Sequence, residues 1–83
     1  MRGQVSLENR DRFITLGVVI AAVRKRRGLS QEQLAERARI SRTELSEIEA
    51  SGIVCSFSLD ILYRIADGLE VKAGDLLNTE LPS

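Results

Sequence analysis

The chain contains no histidine and no tryptophan, and the first absence narrows the classes of function open to it. Histidine is the usual general base near neutral pH and the commonest metal ligand of proteins. The sequence also lacks a glycine-rich phosphate loop and a pair of acidic residues in a recognisable catalytic context. We therefore expect no enzymatic activity, no cofactor and no metal site.

Cysteine and long apolar runs are equally scarce. The single cysteine, Cys55, cannot form an intramolecular disulfide, which favours a reducing, cytoplasmic setting. No apolar run approaches the roughly 20 residues of a membrane span, and residues 16–23 lead into basic residues without a cleavage-type signal. With 83 residues we expect one small domain, no fused sensing or catalytic domain, and no membrane partner.

The formal net charge is zero, but the charges are segregated along the chain. Residues 24–42 hold seven Lys or Arg and two Glu, a net of +5, whereas residues 43–83 hold two basic and eight acidic residues, a net of −6. Residues 1–23 supply the remaining +1. Because DNA binding needs a local basic surface rather than a basic protein, this distribution is compatible with a nucleic-acid partner.

The stretch from Ser30 to Glu49 predicts two short helices joined by a tight turn. Ser30 is a good N-cap with Gln33 in the capping-box position, and Ser41 begins a second helix in the same way. Only Arg39 and Ile40 separate the first helix from the second cap. A connection this short forces a sharp angle between the helices, as in a helix-turn-helix.

The ordered series of residues around this stretch resembles the Cro/C1-type (Xre) helix-turn-helix family of bacterial and phage transcriptional regulators. The resemblance covers roughly residues 13–77. It is carried by Leu16, Gly17, Ile20, Arg24, the run GLSQEQLAERA at 28–38, Ile40, Ser41, Leu45, Ile48, Glu49, the run SLDILYRIADGLEV at 58–71, Leu76 and Leu77. The opening Ser41-Arg42-Thr43 is also similar to that of restriction–modification controller proteins.

The resemblance implies an all-α, compact five-helix lambda-repressor-like DNA-binding domain at residues 10–78. We expect residues 1–9 to be a flexible N-terminal arm or the frayed start of the first helix, and disorder is favoured over an arm that reaches a DNA groove. Residues 79–83 are expected to be a polar tail. The last short helix is predicted near Ala73 to Leu77.

The resemblance also implies roles for individual residues, with the third helix in the major groove. The candidate base contacts are Arg42, Thr43, Ser46 and Glu47. The candidate phosphate contacts are Gln31, Arg26, Arg27, Arg39 and Ser41. A structural ion pair between Arg24 and Glu49 is expected to tie the first helix to the third.

Two departures from the family pattern stand out. Arg39 occupies a position where the family usually has glycine and where φ tends to be positive, at a cost on the order of 1 kcal/mol. The connection from Ala50 to Phe57 is about two residues longer than usual, and its apolar residues are expected to cover the core or to meet a partner. Cys55 is most simply a small buried apolar group, with a redox-sensing thiol as the alternative.

The fourth helix is apolar on more than one side, which suggests self-association. Ser58 caps it, one face carries Leu59, Leu62, Ala66 and Leu69, and Gly68 fits its end. The residues assigned to a homodimer interface are Ile61, Ile65, Leu76 and Leu77, and Leu81 is a further candidate. The alternative is that loop residues such as Phe57 cover the second stripe within the monomer.

Two hypotheses of function follow from these features. The first is a sequence-specific DNA-binding transcriptional regulator that acts as a homodimer on a pseudo-palindromic operator in double-stranded DNA. The second is a protein-interaction module, such as an antitoxin or anti-repressor, that retains the fold and binds a protein partner. Glu44 and Glu47 favour the second, because carboxylates near DNA are repelled unless they accept from cytosine.

Overall fold

A computed structural model describes residues 6–50 and 56–78, and these residues form five α-helices and no strand. The helices are α1 (Leu7–Arg26), α2 (Gln31–Ala38), α3 (Arg42–Glu49), α4 (Leu59–Leu69) and α5 (Ala73–Leu77). The predicted all-α, five-helix architecture is confirmed. Because α1 begins at Leu7, three residues assigned to the arm are helical, whereas residues 1–5 and the tail lie outside the described residues.

The helix boundaries follow from local sequence signals. Ser30 Oγ accepts from the backbone N–H of Gln33 (3.0 Å), and the Gln33 side chain accepts from the backbone N–H of Ser30 (2.8 Å), so the predicted capping box is present. Ser41 caps α3 through the N–H of Glu44 (3.0 Å), and Ser58 caps α4 through that of Ile61 (3.3 Å). Each hydroxyl satisfies a donor that has no partner within its own helix.

The core lies where all five helices meet. α1 packs against α3 and α5, α2 packs against α3 and α4, and α4 packs against α5. The buried apolar residues are Leu16, Ile20, Leu34, Ala35, Ala38, Leu45, Ile48, Leu62, Ile65, Ala66, Leu69 and Leu76. Burying a Leu or Ile side chain contributes about 1.5–3 kcal/mol, so this cluster fixes the angle between α2 and α3.

Gly17 lets α1 approach α3 at backbone distance. A Cβ built at this position would collide with the carbonyl oxygen of Ile48, near the end of α3. The atom it would meet is backbone and cannot swing aside as a flexible side chain would. The approach of α1 to α3 therefore requires glycine at this position.

The turn between α2 and α3 contains the backbone strain expected from the sequence. Arg39 ends α2 in the left-handed region, with φ 58° and ψ 43°. Its N–H donates to the carbonyl of Glu36 (3.2 Å), and the N–H of Ile40 donates to that of Ala35 (3.0 Å). The prediction of a positive φ at this non-glycine residue is therefore confirmed.

The predicted face of α4 needs correction. Leu59, placed on the core side by its spacing, is 63% exposed, whereas Ile65 is fully buried. Gly68 does not end the helix, since α4 continues to Leu69 and ends at Glu70 with φ 59°. A Cβ at Gly68 would press on Leu34 and Arg37 of α2, so this glycine serves close packing between α2 and α4.

Two residues assigned to a dimer interface lie in the core of the monomer instead. Ile65 is 0% and Leu76 is 2% exposed, so neither can meet a second copy without unfolding. The reason is that α2 and α5 both pack on α4, which places a wider arc of its surface inside than one apolar stripe would. Ile61 is half-buried against the core, and Leu77 is exposed.

Phe57 is half-buried against the core and lies beside Phe13 of α1. Its ring meets that of Phe13 edge to face, with centroids 5.6 Å apart and an interplanar angle of 78°. Such an aromatic pair is worth about 0.5–1.5 kcal/mol beyond its buried area. Residues 51–55, which include Cys55, lie outside the described residues, so the interpretation of that thiol stays a prediction.

Candidate nucleic-acid interface

The outer face of α3 is polar and open to solvent. Arg42, Thr43 and Ser46 are exposed, and Glu47 is half-buried. On the opposite side, Leu45 and Ile48 hold the helix in the core. The helix therefore presents these side chains from a fixed position, and Arg42 and Thr43 lie at the end where its backbone N–H groups and dipole favour an anion.

The start of α2 lies beside α3. Arg42 Nε is 4.0 Å from the carboxylate of Glu32, and both side chains are largely exposed. At the other end of α3, the amide of Gln31 reaches the carboxylate of Glu49 (3.1 Å). The first turn of α2 therefore runs alongside α3, and together they form one continuous surface.

Arg24 and Glu49 meet beneath this surface in a bidentate pair. Arg24 Nε donates to Glu49 Oε2 (2.8 Å) and Arg24 Nη2 donates to Glu49 Oε1 (2.9 Å). The side chains are only 10% and 4% exposed. Arg24 Nη1 also donates to the carbonyl of Leu29 (2.8 Å), just before the cap of α2. One arginine thus joins α1 to the start of α2 and the end of α3.

The hydrogen bond from Gln31 to Glu49 was not predicted from the sequence. A phosphate contact was predicted for Gln31, and in the free protein its Nε2 lies against Glu49 Oε1, which also accepts from Arg24. The two residues are 18 positions apart on different helices, so no local spacing signals the contact. The family pairing of Arg24 with Glu49 was the one available clue.

The other predicted phosphate contacts are distributed around this surface. Ser41 Oγ accepts from the N–H of Glu44, which leaves its own hydroxyl proton available to an anion. Arg26 and Arg39 are exposed. Arg27 is also exposed, and its Nη2 lies 3.5 Å from the carbonyl of Glu70 at the end of α4.

The turn between α2 and α3 is also held from α4. Arg64 Nη1 donates to the carbonyl of Arg39 (3.2 Å), and Arg64 Nε pairs with Asp60 one turn earlier (3.0 Å). The guanidinium and the carboxylate are 46% and 70% exposed, so solvent screens their attraction. The contacts of Arg64 therefore orient the turn more than they stabilise the fold.

A cleft of about 680 Å³ lies away from α3, between the first half of α1 and helices α4 and α5. Leu59, Leu62, Leu76 and Leu77 form much of its wall, and Arg12 lies at its polar side. Leu59 and Leu77 are also among the most exposed apolar side chains of the described residues. Contiguous apolar surface of this kind is a candidate for association with another protein.

The described residues contain no cluster of acidic or cysteine side chains that could hold a metal ion. Among the same residues, no helix is both long enough and apolar enough to cross a membrane. The polar, exposed side chains on α3 and at the start of α2 form the main candidate for a functional site.

Most of the chain matches a known domain family and a phage protein. The helix-turn-helix domain family matches residues 15–79. The immunity repressor protein of Bacillus phage phi105 is 37% identical over 67 residues, which are 81% of this chain and 45% of the phage protein. The chain thus spans about half the length of that curated relative.

Solved structures of regulators have the same fold. The restriction–modification controller protein C.AhdI from Aeromonas hydrophila superposes with a TM-score of 0.72 at 25% identity, over 77% of this chain and 94% of that chain. A chain of the SinR protein/SinI protein complex gives a TM-score of 0.69 at 32% identity, over 76% of this chain and 60% of that chain. The predicted similarity to Cro/C1-type regulators is confirmed.

Proposed function

Because the chain belongs to the helix-turn-helix domain family of DNA-binding regulators, which are not enzymes, we propose that it is a sequence-specific regulator of transcription. The observation that carries the proposal is the exposed start of α3, with Arg42 and Thr43 next to the first turn of α2. In this function the protein acts in the cytoplasm on double-stranded DNA.

Base reading is assigned to the outer face of α3. Arg42 can donate to both acceptors of a guanine, and Thr43 offers a hydroxyl or a methyl group to a neighbouring base. Ser46 lies one turn further on, and Glu47 can accept from the amino group of cytosine. Arg42 stands at a helix start, where a cation is poorly placed for the dipole, and this supports an anionic or electron-rich partner.

Phosphate binding is assigned to the residues around α3. Gln31 and Ser41 stand at helix starts, where free backbone N–H groups favour an anion. Arg26, Arg27 and Arg39 supply positive charge from the end of α1 and from the turn. These contacts set the orientation of the domain on the duplex without reading its sequence.

The protein is proposed to act as a two-fold dimer through the apolar surface of α4 and α5. Leu59, Tyr63 and Leu77 are 63%, 56% and 57% exposed, and Leu59 and Tyr63 lie one turn apart on α4. The domain measures 32 × 31 × 21 Å. In such a dimer the two α3 helices are expected to lie ~34 Å apart, the spacing of consecutive major grooves.

Selection of an operator from a random pool, followed by binding to all its single-base variants, tests the proposal. Arg42→Ala is expected to cost about 1–3 kcal/mol on the selected site and to relax preference at one position of each half-site. Arg10→Ala, which removes an exposed arginine from the first half of α1, is the matched control and should leave preference unchanged. If Arg42→Ala lowers the affinity equally for all the operator variants, base reading by Arg42 is contradicted.

A second candidate function is binding to a protein partner. It is favoured by one solved relative, a chain of the SinR protein/SinI protein complex. The half-buried Glu44 and Glu47 place negative charge on α3. A gel shift on the DNA upstream of the gene separates the two candidates, because an interaction module alone produces no shifted band.

A further inference from the structure

Besides its ion pair with Arg24, the carboxylate of Glu49 accepts a hydrogen bond from a second residue, Gln31. Its carboxylate is almost fully buried, and three donors converge on it. Arg24 takes Oε2 with Nε (2.8 Å) and Oε1 with Nη2 (2.9 Å). The third donor is Nε2 of Gln31, 3.1 Å from Oε1. A single carboxylate oxygen thus joins the buried pair to the first residue of α2.

The charge of Glu49 decides which end of the Gln31 amide points inward. An ionised carboxylate only accepts hydrogen bonds, so the amide must turn its nitrogen toward Glu49. That nitrogen carries two hydrogens, and the carboxylate takes one. Gln31 is half-buried at the start of α2, so part of it is open to solvent, and the second N–H is the one left for an acceptor outside the protein. A free glutamine would present its oxygen there as readily as its nitrogen.

We propose that Glu49 is a positioning residue for DNA binding, which holds the amide nitrogen of Gln31 toward a phosphate without touching DNA itself. This inference rests on the proposed DNA-binding function. The carboxylate restricts the Gln31 side chain in the free protein, so less freedom is lost when DNA binds. It also prevents the amide oxygen from facing the phosphate, where two acceptors would repel each other.

The test is a comparison of Gln31→Ala in three backgrounds, with a mixed-sequence duplex as the probe because a phosphate contact is independent of sequence. In the wild type, Gln31→Ala should weaken binding about tenfold, as expected for a hydrogen bond to a charged group. In Glu49→Gln, which keeps the shape but removes the charge, the same change should have an effect below about twofold.

Arg24→Lys is the control for a merely structural role of Glu49. It weakens the buried pair and lowers stability, but leaves the carboxylate beside Gln31. Gln31→Ala should keep its tenfold effect in this background. Circular dichroism establishes that each variant is folded at the temperature of the binding measurement.

NMR of the Gln31 side-chain amide gives a second readout on the wild-type protein. One of its two protons should exchange slowly in the free protein because Glu49 accepts it, and the other should shift when the duplex is added. Equal effects of Gln31→Ala in the wild type and in Glu49→Gln would overturn the inference. Two equivalent, rapidly exchanging amide protons would also overturn the inference. If the wild-type protein binds DNA normally in either case, the proposed DNA-binding function is unaffected. Absence of binding to any duplex would overturn both.

Discussion

Arg39 has a backbone conformation that lowers the stability of the domain. Its left-handed conformation ends α2 and allows α3 to leave at a sharp angle. A side chain with a Cβ is strained in this region, whereas glycine is not. The side chain is exposed, so packing does not offset the strain. A contact with DNA phosphate is the proposed reason that arginine occupies the position.

Arg39→Gly is therefore expected to raise the free energy of unfolding by about 0.5–1 kcal/mol, because relief of strain outweighs the greater freedom of glycine in the unfolded chain. The same change should weaken DNA binding if Arg39 contacts phosphate. Urea denaturation measures the first effect and a binding titration the second.

Glu36→Gly is the control for Arg39→Gly, since this exposed residue lies inside α2 and its replacement should cost about 1 kcal/mol. A loss of stability in Arg39→Gly comparable to that control would contradict the strain argument.

The residues that sequence reasoning located well at this scale are those with local signals. The positive φ of Arg39 was predictable because the family usually has glycine there. The hydrogen bond from Gln31 to Glu49 was not, because it depends on how α2 crosses the end of α3. Helix N-caps likewise depend on local sequence. As predicted, α2, α3 and α4 are capped by Ser30, Ser41 and Ser58.

At the scale of elements, the buried pair of Arg24 and Glu49 holds α1, α2 and α3 in one arrangement. Removal of either partner leaves a charge that is desolvated and unpaired. Arg24→Met and Glu49→Met are each expected to lower the free energy of unfolding by more than the ~0–1 kcal/mol of a surface pair. The double variant should lose less than the sum, because it leaves no stranded charge.

Arg64 and Asp60 are the matched control pair for that double-mutant cycle. They are at a similar distance, 3.0 Å, but are largely exposed on α4. Their coupling energy should be about 0.3–0.5 kcal/mol, as for other exposed pairs one helical turn apart. Chemical denaturation of both sets gives the comparison. A coupling of Arg24 with Glu49 no larger than the control would show that burial adds nothing.

The faces of α4 illustrate what spacing alone cannot give. Spacing located the helix and its cap correctly, but it assigned Leu59 to the core and Ile65 to the surface. Which side of an apolar helix is buried depends on how many other helices pack against it. Here both α2 and α5 do, and the position of α5 depends on contacts far apart in the sequence.

For the whole molecule, the observed faces of α4 determine the expected behaviour of two substitutions. Tyr63→Glu should leave the monomer folded, because the side chain is 56% exposed, but should prevent dimer formation. Ile65→Glu should instead unfold the domain, because an unpaired charge would be buried in the core. Sedimentation equilibrium at tens of micromolar and circular dichroism distinguish the two results.

A wild-type protein that stays monomeric at that concentration would contradict the proposed dimer. A dimer that persists in Tyr63→Glu would instead contradict the surface assigned to it. Arg10→Glu, an exposed change on α1, controls for the added negative charge. Tyr63→Glu and Arg10→Glu are both expected to stay folded, so for these two variants the oligomeric state alone gives the answer.

The contact of Gly17 with the backbone of Ile48 has a consequence for how recognition by this fold can change. Because main chain meets main chain there, the height of α3 above α1 does not depend on which side chains α3 carries outward. Substitutions on that outer face can alter the preferred DNA sequence while the depth of insertion stays the same. The backbone contact between α1 and α3 thus separates the residues that read DNA from the contacts that hold α3 in the domain. New sequence preferences can therefore arise by substitution on α3 without changes in the rest of the domain.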